Sequence, residues 1–237
     1  MTKEERQIKR AAAEEARRKK EQQKLEAERE RLTSMWRSQK ELAGETRFVF
    51  GIDEAGRGPL CGPVVAACCI LPPDAEILFL NDSKKLSEAK REKLYEEIVH
   101  EALSFGIGIV GPERIDEINI LQATYEAMRK AVDGLSVIPE IFLNDAVLIP
   151  GIDPEKQVKI IKGDAKSLSI AAASIMAKVT RDSMMEEYDR LWPEYGFAKH
   201  KGYGTAEHIA ALKKYGPCPI HRRSFLKSIL PEASVTD

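Results

Sequence analysis

Two adjacent carboxylates, Asp53 and Glu54, close a short apolar run and stand directly before an arginine held between glycines, Gly56-Arg57-Gly58. Phe48, Val49, Phe50 and Ile52 have the β-branched and aromatic character of a buried strand. Acids at the end of such a strand are costly to bury unless a cation or water meets them. The fold must therefore bring this strand's end to a polar opening. Gly56 and Gly58 allow a tight turn and close approach to a ligand. Arg57 supplies planar, permanently charged donors suited to phosphate. Carboxylates able to hold metal beside a phosphate-sized loop point to phosphodiester chemistry.

From residue 47 onward the chain reads as one α/β domain, 47–237, preceded by a charged extension, 1–46. Strand 47–53 is followed by a second apolar run, Gly62 to Leu71. Ser87 stands as N-cap of a helix over 90–103, with Leu94, Ile98 and Leu103 at helical spacing. Residues 104–110 alternate as a strand, Pro112 opens a short helix, and a longer one runs from Ile120 to Val132. Strands 140–143 and 157–161 end at Asn144-Asp145 and at Lys162-Gly163-Asp164. A long helix over 167–191, with Ser167 as its N-cap, and a shorter one over 205–215 complete the reading; no internal repeat is visible.

Three strands thus end in acids: Asp53-Glu54, Asp145 and Asp164. In open α/β sheets ligands collect at strand ends, where neighbouring strands present side chains together. Four carboxylates gathered there would repel one another without divalent cations. Hard oxygen donors select Mg²⁺ or Mn²⁺ over zinc. The competing reading makes these acids solvated turn residues or helix caps. Asp182 is the rival fourth acid, but it sits mid-helix at i,i+4 from Lys178, with which it can pair.

Other polar stretches carry two readings each. Asn81-Asp82-Ser83-Lys84-Lys85-Leu86 is either a capped loop or a loop that puts Lys84 on a phosphate. The small residues of 169–182 permit close helix-to-sheet packing and read as structural. Lys199-His200-Lys201-Gly202-Tyr203-Gly204 sets a tyrosine between glycines, where it can stack on a sugar or base while the lysines contact phosphates. Alternatively, the tyrosine is buried at a helix entry. His221-Arg222-Arg223-Ser224-Phe225 is a short basic cluster whose plain reading is a solvated tail. His200, His208 and His221 lack metal spacing in sequence, and none is assigned as a ligand.

The formal net charge of −1 conceals an asymmetry. Residues 1–46 and 154–237 are net basic and residues 47–153 net acidic; seven bases and one acid lie between Lys199 and Lys227. A near-neutral total therefore does not argue against a polyanionic ligand. The extension holds the acid-before-base pairs Glu5/Lys9, Glu14/Arg18 and Glu15/Lys19 of a solvated helix. Leu25, Leu32 and Leu42 are too sparse for a heptad seam, so an exposed, partly helical or disordered tail is expected rather than a dimerisation helix. Cys61, Cys68, Cys69 and Cys218 form no C-x-x-C pair and are expected as reduced, buried thiols. No apolar run is long enough to span a membrane and no secretory signal is visible, so a cytoplasmic, monomeric protein is expected.

Taken together, six stretches in order across 48–227 resemble the bacterial ribonuclease HII family: GIDEAGRGPLCGPV (51–64), NDSKKLS (81–87), IDEINILQAT (115–124), KGDAKSLSIAAASIMAKVTRD (162–182), YGFAKHKGYGT (195–205) and HRRSF (221–225). The resemblance implies a ribonuclease H-like α/β fold: a mixed central sheet flanked by helices, with a helical C-terminal part. It implies hydrolysis of RNA in RNA–DNA hybrids and incision 5′ of single ribonucleotides embedded in duplex DNA, as in ribonucleotide excision repair. It carries the family's acidic quartet onto Asp53, Glu54, Asp145 and Asp164. It carries ribose 2′-OH recognition onto Gly56, Arg57 and Gly58, contact with the adjacent deoxynucleotide onto Tyr203, and phosphate contact onto Lys84. The expected mechanism is two-metal hydrolysis giving 3′-hydroxyl and 5′-phosphate ends. The rivals are a non-catalytic hybrid-binding protein and a nuclease of the same fold that needs runs of ribonucleotides.

Overall fold

The computed structural model describes residues 2–44, 48–73 and 75–230. Arg47, expected to begin the first strand, and the side chain of Glu5 lie outside the described residues. Five strands form one mixed sheet: β1 (Val49–Ala55), β2 (Val64–Ile70), β3 (Ser104–Val110), β4 (Ile141–Asp145) and β5 (Gln157–Ile160), ordered β3-β2-β1-β4-β5. β1, β2 and β3 form an antiparallel meander, whereas β4 and β5 add parallel to β1. This is the expected ribonuclease H-like architecture.

Alternation along β2 divides the core. Val65, Ala67 and Cys69 join the cluster under α1 (Lys3–Ala43), α2 (Glu88–Glu101) and α4 (Leu168–Leu191). Val64, Ala66, Cys68 and Ile70 face the opposite cluster, built on α3 (Pro112–Asp133). The small residues of α4 let it lie directly on β1. A side chain at Gly51 would overlap the backbone of Ser169 and Ile170, so only glycine permits this approach. A third cluster, containing Cys61, Met185, Phe197, Leu212, Ile220 and Leu226, joins α4 to α5 (Phe197–His200), α6 (Ala206–Tyr215) and α7 (Arg223–Leu226).

Local signals explain the boundaries. Ser167 accepts from the Ile170 amide and caps α4; Thr205 does the same for α6 through His208. Ser87 occupies the N-cap of α2 without a side-chain cap bond, its carbonyl accepting from Lys90 and Arg91 instead. α2 stops before Leu103, which the apolar spacing had assigned to it, because Leu103 donates to Ile70 O and starts the approach to β3. The expected break between two helices falls at Asn119 inside α3, in the left-handed region at φ 67°, where its side chain caps Leu121 and Gln122.

The N-terminal extension departs from expectation. It is one 41-residue helix, and its second half packs onto the domain. Leu32, Met35, Gln39 and Ala43 form a buried stripe at helical spacing. Glu28 accepts from Phe79 N at 2.7 Å, and Arg31 donates to Leu80 O at 2.5 Å. Gln39 accepts from Ser167 Oγ at 2.7 Å and Ser169 N at 3.1 Å, and donates to Ser169 Oγ at 3.2 Å. The stripe is shorter than the heptad pattern sought in sequence, which is why it escaped notice. Glu14 and Arg18 do form their exposed i,i+4 pair at 2.9 Å.

Candidate active site

β1 and β4 run parallel in a register that pairs Ile52 with Asn144, so Asp53 and Asp145 follow side by side at the strand ends. Asp53 alternates onto the α4 face with Gly51, where the Ser174 hydroxyl hydrogen-bonds its carboxylate. Asp53 Oδ1 also accepts from the Glu54 amide at 2.8 Å. Ser174 Oγ lies 2.9 Å from Ser83 Oγ, which ties the Asn81–Leu86 turn to the same corner. Asp164 arrives differently from the sequence reading. β5 ends at Ile160, Lys162 turns left-handed at φ 57°, and Asp164 sits in a one-turn 3₁₀ helix before α4. The Gly163 amide donates to Asp145 Oδ1 at 2.9 Å, locking this turn against the end of β4.

The four carboxylates share one electrostatic environment. Burial, then the charge of Glu54, hold Asp53 well above the usual carboxylate range, and Asp145 adds to the rise. Burial raises Glu54, against the opposing pull of Arg57. Burial raises Asp164, followed by the charges of Asp82 and Asp145. Lys84 opposes the rise at both Glu54 and Asp164. Arg57 Nη1 lies 3.2 Å from Glu54 Oε1; among the described residues, Asp53, Asp145 and Asp164 have no such ion pair. Such uncompensated, all-oxygen charge fits hard divalent cations, and Asp53, Glu54, Asp145 and Asp164 are the donors that could hold them.

Two buried arginines shape the adjoining loop. Arg222, 0% exposed, donates to the carbonyls of Gly56, Arg57, Pro59 and Gly62 at 2.6–3.1 Å. Arg181, 1% exposed, donates to Cys61, Pro63 and Lys201 carbonyls at 2.9–3.1 Å. With these carbonyls turned inward, Gly56 adopts φ +95° and Arg57 stays exposed. Leu60 N donates to Gly202 O at 2.9 Å, joining this loop to the tyrosine loop. A Cβ on Gly58 would lie 3.7 Å from Tyr203 Cε1. Tyr203 is 49% exposed, so the buried-tyrosine alternative does not apply.

Residues 50–228 match the family model described as Ribonuclease HII. The chain is 61% identical over 208 residues to the ribonuclease HII of Lachnoclostridium phytofermentans, covering 87% of this chain and 81% of that one. It is 63% identical over 183 residues to that of Clostridioides difficile, covering 77% and 71%. This chain belongs to the ribonuclease HII family. Its backbone is similar to ribonuclease H2 of Pyrococcus horikoshii (TM-score 0.61, 30% identity, 74% and 92% coverage). It is also similar to a PCNA:RNase HII complex structure from Archaeoglobus fulgidus (TM-score 0.62, 28% identity, 77% and 95% coverage). As a ribonuclease HII it is a metal-dependent endoribonuclease, a phosphodiester hydrolase acting on RNA–DNA hybrids.

Around this ribonuclease HII site some expectations hold and others need correction. Asp182 makes the i,i+4 pair with Lys178 that its spacing suggested, at 2.6 Å, and also meets Arg91 at 3.5 Å. Of the lysines that one reading put on phosphates, Lys199 pairs with Glu207 while staying exposed, and Lys201 is partly buried in pairs with Glu186 and Glu88. The HRRSF cluster is no solvated tail, since His221 and Arg222 are buried. His208, His221 and Cys61, without metal spacing in sequence, converge in space. Sequence reasoning missed Ser174, Arg181 and Arg222 as shapers of the site. Their signal was a polar or charged residue interrupting a stretch otherwise suited to burial.

Proposed function

We propose that this enzyme cuts the RNA strand of RNA–DNA hybrids and incises 5′ of single ribonucleotides in duplex DNA, leaving 3′-hydroxyl and 5′-phosphate ends. The observation that carries the reading is the β1–β4 register, which sets Asp53 beside Asp145, with the Asp164 turn bonded to Asp145 Oδ1. Asp53, Glu54, Asp145 and Asp164 would hold Mg²⁺ or Mn²⁺. Bound divalent ions would supply Lewis-acid activation of a water and charge stabilisation at the leaving oxygen. Asp164, on a turn rather than a strand, orients the attacking water. Gly56, Arg57 and Gly58 meet the ribose through backbone and side-chain donors, because Arg222 occupies the carbonyls of Gly56 and Arg57. The 2′-hydroxyl they would read distinguishes RNA from DNA at one nucleotide.

Tyr203, half exposed beside Gly58, presses against the deoxynucleotide next to that ribose. Lys84 steadies a backbone phosphate near Glu54 and Asp164. The enzyme works as a cytoplasmic monomer. The test compares wild type and Asp53→Asn on a duplex with one embedded ribonucleotide and on an all-RNA hybrid. Asp53→Asn should lose at least ~10³-fold in cleavage, equivalent to about 4 kcal/mol of barrier, while still binding the hybrid. Wild-type cleavage by Asp53→Asn would overturn the quartet assignment. Activity confined to the all-RNA hybrid would instead support the nuclease that needs ribonucleotide runs.

A further inference from the structure

The C-terminal cluster holds chemistry that the cleavage site does not use. Cys61 Sγ, His208 and His221 are buried, and their ligand atoms all lie within 4.8 Å of one another. They come from three separate segments: the loop after Gly56-Arg57-Gly58, helix α6, and the bridge where residue 221 pairs with residue 61. His208 Nε2 and His221 Nε2 are 3.0 Å apart. Two nitrogens bound to one tetrahedral zinc at about 2.0–2.1 Å would be roughly 3.3 Å apart, so the imidazoles stand within a few tenths of an ångström of that spacing. His208 Nδ1 faces Tyr203 O at 2.9 Å, the backbone anchoring that metal-ligating histidines commonly have.

The geometry points to a second metal site in this ribonuclease, a Cys61–His208–His221 pocket for a borderline-soft divalent ion such as Zn²⁺, separate in place and chemistry from the carboxylate quartet. One thiolate and two imidazoles select zinc-like ions, whereas the all-oxygen quartet selects Mg²⁺ or Mn²⁺. Cys218 Sγ faces the Nδ1 edge of His221 at 3.1 Å, opposite the nitrogen that would ligate, so three protein donors leave one position open. Without an ion, the Cys218 amide donates to His221 Nδ1 at 2.9 Å, and the His221 Nε2 proton bridges to His208. On binding, that proton moves to Nδ1, which breaks the bond from the Cys218 amide and makes one to Cys218 O, now 3.3 Å away, while the Cys61 thiol gives its proton to solvent. Burial raises the free thiol to about 12, so the ion itself must drive this ionisation.

An ion here would staple together segments that carry the substrate loops. Cys61 follows the glycine-arginine loop, His208 holds the Tyr203 carbonyl, and His221 precedes Arg222, the residue cradling that loop. Entry requires a transient opening of the segment around Cys218, so loading is read at equilibrium.

The experiment titrates the full chain with Co²⁺ and records the thiolate-to-cobalt charge-transfer absorption, which a carboxylate site does not produce. The expected result is a band saturating at one Co²⁺ per chain, bleached by equimolar Zn²⁺ and unaffected by excess Mg²⁺. The band should vanish in Cys61→Ser and persist in Cys218→Ser. One equivalent of Zn²⁺ should raise the Tm of wild type and of Cys218→Ser but leave that of Cys61→Ser unchanged. Absence of the band in wild type, its survival in Cys61→Ser, or its loss in Cys218→Ser would overturn the proposal. These readouts are independent of cleavage, so they succeed or fail separately from the substrate assignment above.

Discussion

Replacing Arg222 with methionine would strand the carbonyls of Gly56, Arg57, Pro59 and Gly62 without their shared donor. Buried polar groups left unpaired are costly, and a destabilisation of about 3–5 kcal/mol is expected, read as a lowered midpoint in urea. Asp53 poses the opposite problem. Its raised pKa means that the native state binds its proton more tightly than the unfolded chain, so its contribution to stability falls as pH rises above the ordinary carboxylate value. At neutral pH, Asp53→Asn in chelator should therefore melt a few degrees higher than wild type, and Mg²⁺ should raise the wild-type Tm more than the variant's. Equal melting temperatures in chelator would show that the crowding of charge carries no strain.

The buried histidines give an acid dependence of opposite sign. His208 and His221, at about 4 in the fold against 6.5 unfolded, take up protons when the chain unfolds. Their contribution to stability should be flat above about pH 6.5 and fall as pH drops toward 4, by up to ~2.7 kcal/mol per pH unit if both protonate. Urea midpoints measured across that window check the slope.

Among the elements, α4 and α1 bear most directly on the site. Helix α4 lies on β1 because Gly51 has no side chain, and it carries both Ser174 and Arg181 to the corner. Gly51→Ala should cost more than about 3 kcal/mol, because backbone rather than a flexible side chain stands in the way. Helix α1 meets the start of α4 through Gln39, which bonds Ser167 and Ser169 just after the Asp164 turn. Gln39→Ala should lose about 2 kcal/mol, since it leaves the buried Ser169 amide without that acceptor. Strand and helix types were readable from period and caps. Asp164, however, was assigned to a strand end and lies in a 3₁₀ turn, because the left-handed Lys162 that redirects the chain has no sequence signature.

At the scale of the whole molecule, the described side chains of the extension before Leu25 are exposed, whereas its second half is docked. Deleting residues 2–24 should leave the urea midpoint within experimental error, whereas deleting 2–44 should lower it by removing Leu32, Met35 and Gln39 from the core. An unchanged midpoint for the longer deletion would mean that the docked stripe adds nothing to stability.

The sequence by itself determined the strand-ending acids, the glycine-flanked arginine, the helix caps and, through six ordered motifs, the family. These are local matters: period, turn chemistry and residue type act over a few positions. Only the tertiary structure decided which charges are spent. It brought Arg91 to Asp182, and paired Lys201 with Glu186 and Glu88. It turned Arg222 from an apparent tail residue into a buried cradle, and it gathered Cys61, His208 and His221 from distant segments. Side-chain pairing and burial depend on contacts between residues up to 166 positions apart, a separation that no local pattern encodes.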